Sequence, residues 1–336
     1  VLGLAILVDL GVCPDFNVFR RFLGGEEVVV GDSLVKMLNS AREALESEAS
    51  KRRVYGYCSG LGALMDLRGV CDPEWEHRVL IEHAVGIGPW APAEISRLFL
   101  FIRLLQMSQG LDPIRGLLAL RISEVLNSGI TPLIPTRGST GASGDLIPSA
   151  HAFLCILRGS GYALYKGSMV DCSEALRSEG LNVIELKPGE ALVLINNTAW
   201  STAILAYSII KLEDMILKSL RVTKIALELC RCVEEHYSSI VSKIKKYPGL
   251  SLALKMLDGL QCLNSGRLQD PYSLRCTPFI YGALLDIIEV SKDIIMREAC
   301  STSTNPVVLD GIVVHSCAFH AVNLAIIADL LAIGVA

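Results

Sequence analysis

Gly138-Ser139-Thr140-Gly141-Ala142-Ser143-Gly144-Asp145-Leu146-Ile147-Pro148-Ser149-Ala150-His151 is the stretch on which the rest of the chain turns. Three glycines fall within seven residues, then an acidic residue, then an apolar run that reads as a helix. Glycine accepts positive φ and lets backbone approach backbone. Asp145 suits the first turn of a helix, where its charge meets the positive end of the dipole.

Three readings are open. The first is a tight loop leading into a helix. The second is an anion nest, since such loops aim backbone N–H groups at phosphate. It is not a Walker loop, because no Lys-Ser or Lys-Thr follows the last glycine. The third is covalent. In Ala142-Ser143-Gly144 a strained backbone can bring the Gly144 nitrogen onto the Ala142 carbonyl carbon. Loss of two waters, one carrying the Ser143 hydroxyl, then yields 4-methylidene-imidazol-5-one (MIO), an electrophile made from the chain itself.

Moving outward, helices flank this loop. Residues 33–48 place Leu34, Val35, Leu38, Ala41, Ala44 and Leu45 on one face, with Asp32 as a natural N-cap. Helices are also expected over 74–85, 92–109 and from Asp112-Pro113 to Asn127-Ser128-Gly129. Residues 54–62 carry three glycines among small polar residues and read as a loop. Residues 162–189 are mixed and polar, with short strands. Residues 198–246 read as a helical stretch of nearly 50 residues, broken at most once, which implies a bundle.

The 336 residues suffice for one large or two modest domains. The division expected is 1–197, carrying the glycine loop, and 198–336, a helical bundle whose pattern stops mid-helix. Hydrophobic residues make up 51% and charged residues 20%, and mean hydropathy is +0.45. Either membrane spans or helices buried in a large or oligomeric core explain this. Residues 191–210 carry no charge across 20 positions, long enough to cross a bilayer. Asn196-Asn197-Thr198 lie inside that run, however, and adjacent amides in hydrocarbon are costly. A buried strand or loop over 191–195 entering a buried helix is expected instead, with no membrane partner. A net charge of −4 and a pI of about 5.9 give no case for nucleic acid. Eleven cysteines are scattered, and Cys230-Arg231-Cys232 alone is a poor zinc signal. They are expected to be small apolar core residues in a reducing cytoplasm. Residues 1–8 are apolar but lack a basic leader, so no signal peptide is expected.

The 138–151 segment resembles the signature of the aromatic amino-acid ammonia-lyases, the histidine and phenylalanine ammonia-lyase family. There Ala-Ser-Gly is followed by Asp-Leu-x-Pro and shortly by His. Val54-Tyr55-Gly56-Tyr57-Cys58-Ser59-Gly60-Leu61-Gly62 resembles the family's Tyr-Gly-x-Asn-Thr-Gly-Phe-Gly loop, with Cys58, Ser59 and Leu61 substituted. Glu82-His83-Ala84-Val85-Gly86-Ile87-Gly88 is similar to the Ser-His-Ala-x-Gly-x-Gly of histidine ammonia-lyases, with Glu82 departing from it. Glu190 and Asn196 keep their places in a Lys-Glu-Gly-Leu-Ala-Leu-Ile-Asn-Gly-Thr run, in which Gly189 and Asn197 are substitutions. Gln269-Asp270-Pro271-Tyr272-Ser273-Leu274-Arg275-Cys276 repeats a family run unchanged. Residues 298–306 match only in part, with Cys300 and Thr304 replacing an Asn and an Asp. Phe319-His320 are kept after Ser316-Cys317-Ala318.

The resemblance implies a mainly α fold, a long-helix bundle with a smaller mixed N-terminal region. It implies that Ala142, Ser143 and Gly144 become MIO, with no diffusible cofactor and no metal. Tyr55 would be the base, assisted by Tyr272. A phenol of pKa about 10 would need lowering for that task. Arg275 would hold the amino-acid carboxylate, Asn196 and Gln269 would orient MIO and substrate, and Phe319 would pack beside them. His83 would face the side chain and favour imidazole. Without the resemblance, His83 reads as a capping residue and Asn196 as a helix N-cap. The reaction implied is loss of ammonia from an aromatic L-amino acid, histidine to trans-urocanate first, in a homotetramer whose sites are shared between subunits. Alternatives are a phenylalanine or tyrosine lyase, an aminomutase, or an inactive or truncated scaffold. Family members continue beyond residue 336 with further helices and a substrate-handling glutamate.

Overall fold

The computed structural model describes residues 5–67, 71–263 and 266–336, so part of the apolar start lies outside it. Helices dominate, as the periodicity implied. In order they are α1 (Asn17–Leu23), α2 (Asp32–Ala49), α3 (Pro73–His83), α4 (Ala93–Met107), α5 (Gly116–Asn127), α6 (Leu146–Phe153), α7 (Cys172–Ser178), α8 (Glu190–Ile195), α9 (Ala199–Leu229), α10 (Val241–Ile244), α11 (Pro248–Met256), α12 (Tyr272–Arg275), α13 (Thr277–Ala299) and α14 (Val322–Val335). Short strands lie between them: β1 (Ile6–Val8), β2 (Val28–Val30), β3 (Ile87–Trp90), β4 (Thr131–Pro132), β5 (Pro135–Arg137), β6 (Tyr162–Tyr165), β7 (Ser168–Asp171), β8 (Val307–Leu309) and β9 (Ile312–Val314).

The strands make small sheets. β1 and β2 pair parallel; β3–β5, β4–β6–β7 and β8–β9 are antiparallel. β6 and β7 form a hairpin whose two-residue turn, Lys166-Gly167, takes positive φ at both positions. That geometry matches the right-handed twist of paired strands.

The chain divides into two compact units. One runs to Tyr207 and takes in Ile295–Leu324; the other comprises Ser208–Ile294 and Ala325–Ala336. The first unit is built on α4. Leu98, Phe99, Leu100, Phe101, Ile102, Leu104 and Leu105 are all fully buried. A helix apolar on every side belongs at the centre of a fold. Phe22 of α1 stacks on Phe101 at 4.5 Å, and Trp200 meets Phe99 edge-on at 5.9 Å. Arg103, also fully buried, is neutralised by Asp112 of the loop before α5.

Several expectations are corrected. Residues 191–195 are helix, not strand or loop: α8 ends where Asn196-Asn197 break the run, and α9 starts afresh at Ala199. The stretch 190–229 is long and apolar enough to span a membrane, yet 72% of its most apolar window is buried within the fold. The expected 50-residue helix stops at Leu229, and the chain to residue 247 holds only a 3-10 turn and the short α10. α2 starts at Asp32 itself, with Gly31 at the N-cap.

The largest correction concerns cysteine. Eight of the eleven form disulfides: Cys13–Cys300, Cys58–Cys71, Cys155–Cys172 and Cys232–Cys262. Cys230, Cys276 and Cys317 are free. Pairing was invisible in the sequence because the partners lie 13 to 287 residues apart.

Candidate active site

The glycine loop is held from beneath by Asp145. This residue immediately precedes α6 and is fully buried. Its side chain does not cap its own helix. Instead it accepts from the Ser139 hydroxyl (2.6 Å), the Ser201 N–H (2.8 Å) and the Ser201 hydroxyl (2.9 Å). Its own N–H donates to the Asn197 carbonyl at 2.6 Å. The start of α9 therefore grips the loop through one carboxylate. Burial pushes the Asp145 pKa up, and the hydrogen bonds from Ser139 and Ser201 oppose it. Gly141 and Gly144 adopt positive φ, and the Gly141 carbonyl accepts from the Ala321 N–H. Gly144 is buried, while Ala142 and Ser143 are exposed.

α8 delivers Asn196 to this loop. Glu76 on α3 accepts from the Gly189 and Ala191 N–H groups, both at 2.8 Å, at the start of α8. At the other end Arg103 donates to the carbonyls of Val193 (2.9 Å) and Leu194 (3.4 Å), and Thr304 donates to that of Val193 (3.1 Å). A carboxylate at the N-terminus and a guanidinium at the C-terminus both complement the helix dipole. Arg115 pairs with Glu190 and adds a third anchor. The helix has six residues and could not persist alone.

Asn196 and Asn197 divide the work. Asn197 is the structural one: its Nδ2 donates to Ser149 Oγ (3.0 Å) and the Leu194 carbonyl (2.8 Å), and its Oδ1 accepts from the Ala199 N–H (2.8 Å). The capping role considered for Asn196 thus belongs to its neighbour. Asn196 Oδ1 is buried with no hydrogen-bond partner among the described residues, and it stands where a Cβ on Gly144 would collide with it. Below them, Gln106, Thr198, Glu298 and Ser303 form a buried relay of hydrogen bonds of 2.6–3.3 Å.

A cavity of about 930 Å³ opens over the loop. Its lining includes Ser143, Gly144, Tyr55, His83, Asn196 and Phe319, all from the first unit. The Tyr55 phenol oxygen accepts from the Gly62 N–H at 3.0 Å, and its hydroxyl has no acceptor among the described residues. Gly56 is required beside it, because a side chain there would strike Leu192 and its φ is positive. His83 Nδ1 lies 2.7 Å from the Val79 carbonyl. A carbonyl only accepts, so Nδ1 carries the hydrogen and the neutral ring keeps an acceptor at Nε2. His151 Nε2 accepts from the Gly86 N–H at 3.0 Å and secures the turn after His83. Burial holds the His151 pKa down, which favours the neutral ring this bond needs.

Gln269, Tyr272 and Arg275 line none of this cavity. They border a separate concavity of about 490 Å³ within the second unit. Tyr272 is 71% exposed, and the Arg275 guanidinium lies over its ring at 4.5 Å from the centroid. Sequence reasoning passed over His315, Asn305, Arg53 and Asp66, which also line the first cavity. Asn305 stood in the matched Asn-Pro pair; the others carried no periodic or motif signal. Among the described residues no cluster of His, Cys, Asp and Glu is suited to a metal.

The chain matches the family model described as aromatic amino acid lyase over residues 16–336. It belongs to the aromatic amino acid lyase family. Within that family it is 34% identical over 331 residues to a histidine ammonia-lyase of Bacillus cytotoxicus, covering 94% of this chain and 65% of that one. Histidine ammonia-lyase from Trypanosoma cruzi superposes with a TM-score of 0.86 at 25% identity, over 99% of this lyase-family chain and 65% of its own. An ergothionase from Treponema denticola shares the fold at a TM-score of 0.94 and 24% identity, over 98% and 69% of the two chains. The chain spans about 60–65% of the length of the curated relatives it matches.

Proposed function

We propose that the chain carries the reaction centre of an ammonia-lyase, acting on an aromatic L-amino acid and on histidine first, with trans-urocanate as product. The observation that carries this reading is the unpartnered Asn196 Oδ1 packed against Gly144. A buried amide oxygen without a partner costs about 1–3 kcal/mol. The fold holds it there with three anchors on a six-residue helix: the ion-paired Arg103 and Arg115, and Glu76, which accepts from two backbone N–H groups. Such an arrangement suits an amide reserved for a group built at Ala142-Ser143-Gly144. MIO fits that place, and when formed it supplies an electron sink for the departing amine.

The chain's own residues do the rest. The N-terminal ends of α6 and α9 meet at Asp145 under the loop, where their dipoles favour negative charge. Tyr55 lines the cavity and, once its hydroxyl proton has left to solvent, would take the β-proton as phenolate. His83 offers Nε2 as an acceptor to the cavity, which suits the N–H of an imidazole and gives a phenyl ring nothing to pair with. Phe319 closes the apolar side.

The carboxylate clamp is proposed to be Arg275, with Gln269 and Tyr272 beside it on the second unit. In a homotetramer with shared sites a second subunit would bring Arg275 to the cavity. Exposed Ile240, Ile244, Leu268 and Ile280 on the same unit suit such burial. A cytoplasmic setting accords with four disulfides only where that compartment tolerates them, as in hyperthermophiles.

The test is incubation with histidine, phenylalanine and tyrosine, following the unsaturated acid by absorbance. Ser143→Ala serves as the control lacking MIO. Urocanate from wild type alone supports the reading; a β-amino acid would instead mark an aminomutase. Inertness toward all three, with no loss of two waters in the intact mass, would sink it. Co-expressing Ser143→Ala with Arg275→Ala chains tests the shared site, since mixed oligomers regain one intact centre only if subunits contribute jointly.

A further inference from the structure

Tyr55 donates its backbone N–H to Nε2 of His315, 3.2 Å away and 260 residues later in the chain. His315 follows β9 and lines the same cavity as Tyr55. It stands just before the matched run that ends in Phe319-His320, and the family resemblance assigns it no role. Among the described residues, the other hydrogen bonds of the Tyr55 loop stay within residues 53–67. They shape the loop, while the Cys58–Cys71 disulfide ties its middle to the chain just before α3 and Val54 packs with Val308 and Val313. The bond to His315 is the hydrogen bond that fastens the Tyr55 backbone itself to the segment after β9, next to the contact that Arg52 makes with the Val313 carbonyl at 2.9 Å.

The chemistry of this link is one-sided. A backbone N–H needs a lone pair, and only neutral imidazole offers one. An imidazolium would turn a donor toward a donor. We propose that His315 is a positioning residue for Tyr55, its unprotonated Nε2 pinning the Tyr55 backbone so that the phenol faces the substrate only while the imidazole is neutral. This rests on the reading of Tyr55 as the base.

The surroundings favour the neutral ring. Arg52, three residues past α2, reaches the Val313 carbonyl two residues before His315, Tyr55 bonds to the ring, and Arg53, His83 and Asp66 line the same cavity. Partial desolvation, then the charge of Arg52, holds the His315 pKa below the usual histidine value. Acid is therefore required to break the link.

Hydrogen exchange at the Tyr55 amide, read between about pH 5 and 8, tests the bond without relying on turnover. His315→Gln supplies an acceptor that does not titrate, and His315→Phe supplies none. Wild type is expected to lose about tenfold in Tyr55 protection on acidification, His315→Phe to lack it throughout, and His315→Gln to keep it across the range. In turnover, His315→Phe is expected to lower kcat about tenfold with KM within about twofold. His315→Gln is expected to restore kcat and remove the acid limb that wild type shows. Equal Tyr55 protection in His315→Phe and wild type overturns the proposal, and so does an unchanged acid response in His315→Gln. The second comparison stands even if His315→Phe fails to fold. A chain inert toward every amino acid but with the expected exchange pattern would defeat the lyase reading and leave only the pH-dependent His315–Tyr55 link standing.

Discussion

Asn196 Oδ1 and the α-carbon of Gly144 are packed so closely that any side chain on Gly144 would overlap the amide oxygen. Two demands meet at Gly144, since its φ of +83° also disfavours a side chain. Gly144→Ala is therefore expected to lose about 1–3 kcal/mol of stability and the near-ultraviolet band of MIO. A variant that keeps both the band and the wild-type melting temperature would contradict the packing described.

Asn196 and Asn197 should separate cleanly on substitution. Asn196→Ala removes an amide with an unpaired oxygen, so the fold should hardly notice, while kcat falls by about 10²–10³ as for other oriented polar groups. Asn197→Ala breaks three buried hydrogen bonds and the cap of α9. It should cost about 2–4 kcal/mol. Thermal melts beside single-substrate kinetics distinguish the two; the opposite assignment would reverse their roles.

Glu76 gives the fold a pH response. Burial pushes its pKa up to about 7, against the hydrogen bonds from Ala191 and Gly189. A carboxyl whose folded pKa is raised binds its proton more tightly in the folded state. Its contribution is then fully present below the unfolded value near 4.5 and is lost as pH rises through about 7. The loss amounts to about 3 kcal/mol at most. Glu76→Gln leaves one N–H of α8 unpaired, so it is less stable at pH 5, but it lacks this slope. The stability gap between wild type and Glu76→Gln should narrow from pH 5 to pH 8. A gap constant with pH would show that Glu76 does not titrate in that window.

The disulfides should differ in weight. Cys13–Cys300 closes a loop of 287 residues and Cys155–Cys172 one of 17. Chain entropy assigns them about 6 and 3 kcal/mol. Replacing both cysteines by Ala in the first pair should lower the melting temperature more than in the second. The reverse order would mean that local packing around Cys155 and Cys172, both buried, outweighs loop closure.

Much of this was legible beforehand. The helices around α2, α4 and α5 follow from apolar spacing and from Pro and Gly punctuation, which are local properties. The loop at 138–145 was recognisable from its glycines, and Tyr55, His83, Asn196 and Phe319 do share one cavity with it. The 191–195 segment misled because a short apolar run has no period to tell helix from strand. It became α8 because Glu76 and Arg103, 90 to 115 residues away in sequence, supply charge at its two ends.

What the sequence by itself determined is therefore the family and the helical class, both carried by residues close together along the chain. Only the tertiary structure decided which asparagine caps and which is left free, that Asp145 serves the start of α9, that His315 reaches Tyr55, and which cysteines pair. The physical reason is common to these cases. Hydrogen bonds, ion pairs and disulfides act over a few ångströms of space, and hundreds of residues of chain can intervene between partners without leaving a mark on the local pattern.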